Sequence, residues 1–474
     1  MHIFCGRIAN ITRRRAYAHC YPSTWQPPAI FLQLKTLTTR QLRALNRLLD
    51  QLFSVKSFIV PPAFKNFSGL DFLARELRLS DNRQMWLSDR GMALLRDIST
   101  ALDRADLFDG LAGYSDVAGG CRQVVQDWLS KWSRPDGAGE FVELVRQAVE
   151  PQICRHTFVV SLYGVELDGI DSIVLGSFRV VRPSAGYLTA SGVNFDMTTI
   201  QRNLKAMESY LWLVGDASGT CDVAERKFTA HAELIVGMLA VSAASMHEYG
   251  ASGFRIGVVM SPEQAYGRSV WMLWTDKKKS LVTSAKFVGS QSLQINQELV
   301  EQLRAATVFD RSFAIFESGD NSPLEAAIKR AVYWYSDAHR DSVPVMKLVK
   351  YWSCVETFFS GEKSENGQAV SQSITSSVSI GLACVLVFGG FQFVPEKEYA
   401  GFKARIRKLY DLRSRAVHGA VHHHVSVRDT AELSQWVAWM LINMIAFVER
   451  GYKTPEQIKS RAEELDATVR ESGR

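Results

Sequence analysis

Arg405-Ile-Arg-Lys-Leu-Tyr-Asp-Leu-Arg-Ser-Arg-Ala-Val-His-Gly419 says more about this chain than any other stretch. Set out at about 100° per residue, Ile406, Leu409, Tyr410, Ala416 and Val417 fall on one face, the spacing of an amphipathic helix. Arg413 falls in the middle of that apolar face, while Arg415 points the opposite way, into solvent. A guanidinium on an apolar stripe is costly unless it is paired or lies at an interface. Arg413 therefore requires a partner and Arg415 does not. His418 closes the same helix, and Gly419 suits the left-handed residue that ends one. A histidine in the last turn feels the negative end of the helix dipole, which favours its protonated form. It shares a flank with Ser414, one turn back. A permanent charge and a titratable ring at one helix end suit polarising a phosphate and moving a proton beside it. The competing reading is a structural ion pair and a helix-capping histidine.

Around this stretch the pattern is helical. Ser322-Pro-Leu-Glu325 is a start signal: serine cap, proline at the first helical position, then glutamate. Leu324–Ala338, Val343–Phe359, Val370–Phe388, Glu396–His418 and Thr430–Glu449 follow as five helical segments, with Gly361–Gln368 a polar loop. Trp436, Trp439, Met440, Ile442 and Ile445 make the last segment apolar around most of its circumference. A bundle core explains part of that, and a helix–helix dimer interface would explain the rest. Val378–Val394 is the most membrane-like run, yet it contains Gly381, Gly389, Gly390 and Gln392 and is short for a span, so a buried bundle helix is expected. Thr454–Arg474 reads as a charged tail, helical or frayed.

Arg413-Ser-Arg-Ala-Val-His418 fits an R-x4-H motif with a polar residue directly after the arginine. In this it resembles the HEPN domain family, and Leu409–Gly419 is similar to its Apea-like branch in particular. Trp352-Ser-Cys-Val-Glu356 upstream is similar to the W-x-x-x-E helix of that branch. The resemblance covers about the last third of the chain, from near Ser322 to near Gly451. It implies an all-α HEPN bundle and metal-independent RNA cleavage, in which the ribose 2′-hydroxyl attacks the neighbouring phosphate to give a 2′,3′-cyclic phosphate and a 5′-hydroxyl. His418 would move the proton as general base or acid. Arg413 would stabilise the phosphorane charge. Ser414 would orient the histidine or the phosphate, and Glu356 would pair with Arg413 and hold it. One arginine and one histidine are few groups for acid–base chemistry, so the resemblance also implies a homodimer with two motifs facing one groove. RNA is the implied partner, with no cofactor, in a protein of the toxin or antiphage-defence kind. A non-catalytic HEPN scaffold that binds nucleotide or RNA and signals by dimerising is the alternative.

The remainder bounds the answer without motifs. The chain has 474 residues, of which 47% are hydrophobic, and a formal net charge of +6. That allows two or three domains and a polyanionic partner without demanding one. Seven scattered cysteines with no Cys-x-x-Cys pair suggest reduced thiols, a cytoplasmic location, and neither a disulfide framework nor a zinc finger. Residues 1–20 are interrupted by Arg7 and Arg13-Arg14-Arg15 and show no signal peptide. Neither membrane nor metal is expected. Of His422, His423 and His424, only the first and third share a side in a strand, and no ligand partner sits at metal spacing. A loop lending positive charge to an RNA groove suits them better. No P-loop and no Gly-x-Ser-x-Gly elbow is present.

The expected organisation is α+β in the N-terminal region, then the helical bundle. Residues 1–150 read as mostly helical, with Thr38–Phe53, Asp71–Leu79, Gly91–Asp106 and Cys121–Trp132 as helices. Residues 151–320 read as an α+β domain. His156–Val165 and Ser172–Val181 form a hairpin turning at Asp168-Gly169, and Ala230–Tyr249 a long buried helix. Phe254–Met260, Ser269–Thr275, Leu281–Val288 and Thr307–Glu317 read as strands, Asp276–Lys279 as a turn, and Asn296–Ala305 as a helix. This region would sense a phage or cellular trigger, or restrain the nuclease. Residues 321–452 are the bundle and 453–474 the tail.

Overall fold

The computed structural model describes residues 35–59, 74–80, 83–186, 210–246, 255–259, 268–275, 278–287, 292–305, 308–360, 374–419 and 425–471, with isolated positions between 198 and 207. Expectations for the N-terminal arginines, for 361–373 and for His422–His424 lie outside these residues. The chain is α+β first and helical afterwards.

The N-terminal unit has its own core. Helix α1 (Thr39–Leu52) opens with a capping box between Thr38 and Gln41 and buries Leu45, Leu49 and Leu52. Strands β1 (Phe58–Ile59), β2 (Glu76–Arg78) and β3 (Gln84–Leu87) form a small sheet in the order β1-β3-β2. Helices α2 (Asp89–Arg104), α3 (Tyr114–Lys131) and α4 (Ala138–Val149) close the unit around Leu95, Val125 and Phe141. The helix expected over Asp71–Leu79 is corrected in part: Ala74 and Arg75 are helical, but Glu76–Arg78 is a strand paired with Gln84–Leu87. Leu77 and Leu79 are buried with Arg78 exposed between them, which is strand alternation rather than a helical stripe.

After residue 150 come β4 (Cys154–Tyr163), β5 (Val165–Leu167), β6 (Ser172–Leu175), β7 (Phe178–Val181) and β8 (Leu211–Gly219). Helix α5 (Cys221–Met246) and β9 (Gly257–Val259) follow. The sheet order is β6-β7-β8-β4-β9, all antiparallel. The expected hairpin is corrected: β4 pairs with β8 and β9, and the tight hairpin lies inside Ser172–Val181. It turns at Gly176, whose φ of +61° a side chain rarely adopts. Strands β10 (Arg268–Thr275) and β11 (Lys278–Phe287) pair antiparallel, so Lys278 and Lys279 belong to a strand rather than a turn. Strand β12 (Leu293–Ile295) runs parallel to β5 and leads into α6 (Gln297–Ala305). Thr307–Glu317, expected as a strand, is helix α7 (Val308–Glu317). Its aromatics mimic strand composition, but Phe309, Phe313 and Phe316 recur at helical spacing and all are buried.

The C-terminal helices are α8 (Pro323–Arg340), α9 (Pro344–Phe359), α10 (Ile374–Phe388), α11 (Tyr399–Gly419), α12 (Val427–Glu449) and α13 (Pro455–Glu471). The Ser322–Glu325 capping box starts α8. One hydrophobic core runs from the sheet through α5 into these helices. Helix α5 packs on β8 and also on α8 and α12. Helix α12 meets α5, α8, α9 and α10, so neighbours within the chain cover its broad apolar surface. Helices α5 and α12 are long and apolar enough to cross a membrane, and 78% of the qualifying window of each is buried inside the protein. Val378–Val387 is buried in the bundle.

The C-terminal stretch is a docked helix rather than a frayed tail. Helix α13 packs on α10 and buries Ile458 and Ala462. Asp466, 1% exposed, accepts a hydrogen bond from Tyr399 Oη at 2.6 Å and ion pairs from Lys403 and Arg470. Burial alone would raise this carboxyl, but the bonds from Lys403, Tyr399 and Arg470 outweigh it and hold it below the ordinary 3.8. A folded-state pKa below the unfolded one stabilises the fold above the ordinary value, and that stabilisation is lost as pH falls through the lower one. Hydrogen exchange across 455–471, corrected for its intrinsic pH dependence, is therefore expected to accelerate below about pH 4. Asp466→Asn should make that segment exchange fast already at neutral pH; unchanged protection would show that Asp466 does not hold it.

Candidate functional site

Helices α9 and α11 lie side by side in the bundle. The apolar face of α11 is built from Ile406, Leu409, Tyr410, Leu412 and Ala416, all buried. Val417 is corrected: it is 47% exposed, although Ala416 beside it is buried. Arg415 is exposed, as its phase requires.

Arg413 meets Glu356 across the helix pair. Its Nη2 lies 3.1 Å from Oε1 and 3.2 Å from Oε2, and both side chains are 20% exposed. Tyr410, one turn before Arg413, donates its hydroxyl to the same carboxylate at 2.7 Å. The Arg413 guanidinium carbon sits 5.6 Å from the centre of the Tyr410 ring. Trp352, one turn before Glu356 and fully buried, meets that ring edge-on at 5.0 Å. The W-x-x-x-E and R-x4-H segments thus form one constellation: Trp352 braces Tyr410, and Tyr410 and Arg413 share Glu356. Such a half-buried pair adds little net stability over an apolar pair but fixes geometry. Burial first, then the hydrogen bond to Glu356 and its charge, push the Tyr410 hydroxyl well above its ordinary range, against the pull of Arg413. Tyr410 stays a neutral donor. Arg413 Nε is buried with no hydrogen-bond partner among the described residues, which satisfy only part of the guanidinium.

Ser414 is half-buried and makes no side-chain hydrogen bond among the described residues. His418 lies on the backbone of the last turn of α11, and its side chain lies outside the described residues. The structure thus joins Arg413 to Glu356 and puts Ser414 and His418 on the same helix within two turns. Tyr410 is the residue that sequence reasoning missed as a polar group, having counted it only as apolar surface. The signal was its position one turn before Arg413. Tyr410→Phe is expected to destabilise the bundle by about 1.5–3 kcal/mol, the usual range for a hydrogen bond to a charged group. Thermal melting of the two proteins side by side checks it, and an unchanged midpoint would mean the bond contributes nothing.

Arg405, at the start of the quoted stretch, has a different task. It binds Glu432 at 2.6 Å and Asp429 at 3.2 Å, clamping α11 to the first turns of α12. Ser426 caps α12 in a box with Asp429. Ser377 Oγ donates to the Phe359 carbonyl, which holds the start of α10 against the end of α9. Ile374, Val417 and Val427 are exposed, at 56%, 47% and 60%. Among the described residues no group of three or more His, Cys, Asp or Glu side chains could hold a metal ion. Two cavities bounded by described residues lie against α5, α6 and α12, and Arg413 lines neither.

No protein family, curated protein or solved structure matches this chain.

Proposed function

We propose that this protein is a metal-independent RNA endonuclease of the HEPN type, serving as a toxin or in antiphage defence. What supports the reading is the Arg413–Glu356 pair, because it joins the two motif segments of the resemblance through space, 57 residues apart in the chain. In the proposed reaction the 2′-hydroxyl attacks the adjacent phosphorus as His418 takes its proton. Arg413 stabilises the phosphorane oxygens, and the 5′-oxygen leaves with a proton from the partner's His418. Glu356 and Tyr410 hold the guanidinium at the helix end, and Ser414 orients the phosphate or the imidazole. A second copy of the bundle supplies the other half of the groove; the exposed Val417, one turn after Arg413, favours association there. The region before residue 320 would sense the trigger or restrain cleavage.

A second reading, a non-catalytic scaffold that binds RNA or nucleotide, is favoured by one observation. The Arg413 guanidinium is already committed to Glu356 within its own chain, with Nε out of reach of solvent. Incubating the purified protein with total RNA beside Arg413→Ala and His418→Ala separates the two. Cleavage lost in both variants supports the nuclease, whereas binding without cleavage supports the scaffold. Cleavage surviving both substitutions would move the search to residues 150–320.

A further inference from the structure

A cavity of about 150 Å³ lies where the helices before residue 320 meet the bundle. Met238 of α5, Leu303 of α6, Phe309 of α7 and Ile442 of α12 line it, together with the rings of Phe391 and Trp439. Two serines of α5, Ser242 and Ser245, complete the wall, and none of the described side chains around it is charged. Helix α12 packs on both α5 and α7 beside it. Close-packed interiors leave few voids larger than a water molecule. This one has room for a molecule of the size of benzene.

Its aromatic wall is held in place rather than free to collapse inward. Asn443, fully buried one turn after Trp439, accepts the Phe391 N–H at 2.9 Å. The same amide donates to the Phe391 carbonyl at 3.1 Å and to the Trp439 carbonyl at 3.0 Å. One side chain thus pins the loop that carries Phe391 to the turn that carries Trp439. A Cβ on Gly389 would collide with that amide, so the loop lies close against α12. Phe393 stacks on the Trp439 ring at 5.9 Å, and Phe391 tilts against it at 6.3 Å.

The polar atoms of the wall are few and unequally satisfied. Ser242 Oγ donates to the Met238 carbonyl at 2.9 Å and Ser245 Oγ to the Ser242 carbonyl at 2.8 Å, so both hydroxyl protons are spent inside α5. Trp439 Nε1 is buried, and its N–H has no acceptor among the described residues. An indole N–H usually finds a partner when buried, and leaving it without one is costly. Waters filling the space would each want two to four polar partners, more than these walls offer. An ion would meet no counter-charge. A flat apolar molecule suits the rings of Phe309, Phe391 and Trp439, and one acceptor on it would satisfy the indole. We propose that this cavity binds a small uncharged aromatic molecule with a carbonyl oxygen that accepts the Trp439 N–H. Such a ligand touches α5, α6 and α7 on one side and α12 on the other, and so bridges the region before residue 320 and the bundle. The inference does not rest on RNA cleavage and stands if that reading fails.

The test uses the full chain and three probes of nearly one shape: acetophenone, its hydrocarbon isostere α-methylstyrene, and benzoate. Saturation-transfer NMR titrations read the affinity of each. Acetophenone is expected to bind about two- to tenfold more tightly than α-methylstyrene, the worth of one hydrogen bond, and benzoate not at all. Trp439→Phe keeps an aromatic wall and removes the donor, so both neutral probes should still bind, with the difference between them gone. Ser242→Leu fills the space from α5 and should abolish binding of both. Failure of acetophenone to bind the parent overturns the site, as does binding undiminished in Ser242→Leu. Equal affinity of the parent for acetophenone and α-methylstyrene overturns it too. Should Ser242→Leu fail to fold, Trp439→Phe decides alone: an acetophenone preference that persists there contradicts the proposal, and one that vanishes supports it.

Discussion

Arg413→Ala is expected to slow RNA cleavage by about two to three orders of magnitude, the loss that follows removal of one donor aimed at developing transition-state charge. Arg413→Lys should recover only a small part, because an ammonium lacks the planar fork. The substitution also leaves Glu356 half-buried with Tyr410 as its remaining donor, so a loss of activity has to be separated from a loss of fold. His418→Ala provides that separation: it leaves Glu356, Tyr410 and Arg413 untouched and is expected to cost a comparable factor. Glu356→Gln divides holding from chemistry. It keeps a carbonyl acceptor for Tyr410 and weakens the hold on Arg413, so activity should fall less than in Arg413→Ala. Full activity in Arg413→Ala with intact melting behaviour would leave the pair a structural one.

Arg340→Ala is expected to be strongly destabilising, at about 3 kcal/mol, toward the lower end of the range for stranding one member of a buried ion pair. Glu233 sits among the apolar residues of α5, and its carboxylate receives both Arg340 contacts and the Ser336 hydroxyl at 3.2 Å. Removing the arginine leaves that carboxylate with one neutral donor in a core shared by sheet and bundle. The figure is discounted because the arginine is 22% exposed and water reaches part of the pair. Arg340→Ala combined with Glu233→Leu should recover most of the loss, since two apolar groups replace both charges. Thermal melting of the single and double variants checks this, and a double variant no better than the single one would contradict it.

The helices of the last third were legible because each announces itself locally. Ser322-Pro-Leu-Glu325 starts α8 with a cap, and Leu409, Tyr410 and Ala416 mark the face of α11. The phase of that face also foretold that Arg413 needs a partner. Partners themselves are tertiary facts. Glu356 was named only through the resemblance, and the hydroxyl of Tyr410 was lost inside an apolar stripe. Strand pairing was less legible for the same reason: β4 finds β8 about fifty residues later, with nothing local to specify the match. In Val308–Glu317 composition argued for a strand and periodicity for a helix, and burial of Phe309, Phe313 and Phe316 shows that periodicity decides. The walls of the cavity beside Trp439 come from separate segments and leave no motif at all.

The most direct measurement is the chemistry of the RNA ends. Incubated with RNA in excess chelator, the protein is expected to yield fragments ending in 2′,3′-cyclic phosphate and beginning with 5′-hydroxyl, with neither product from Arg413→Ala or His418→Ala. Intact RNA, or fragments carrying 5′-phosphate, would contradict the account.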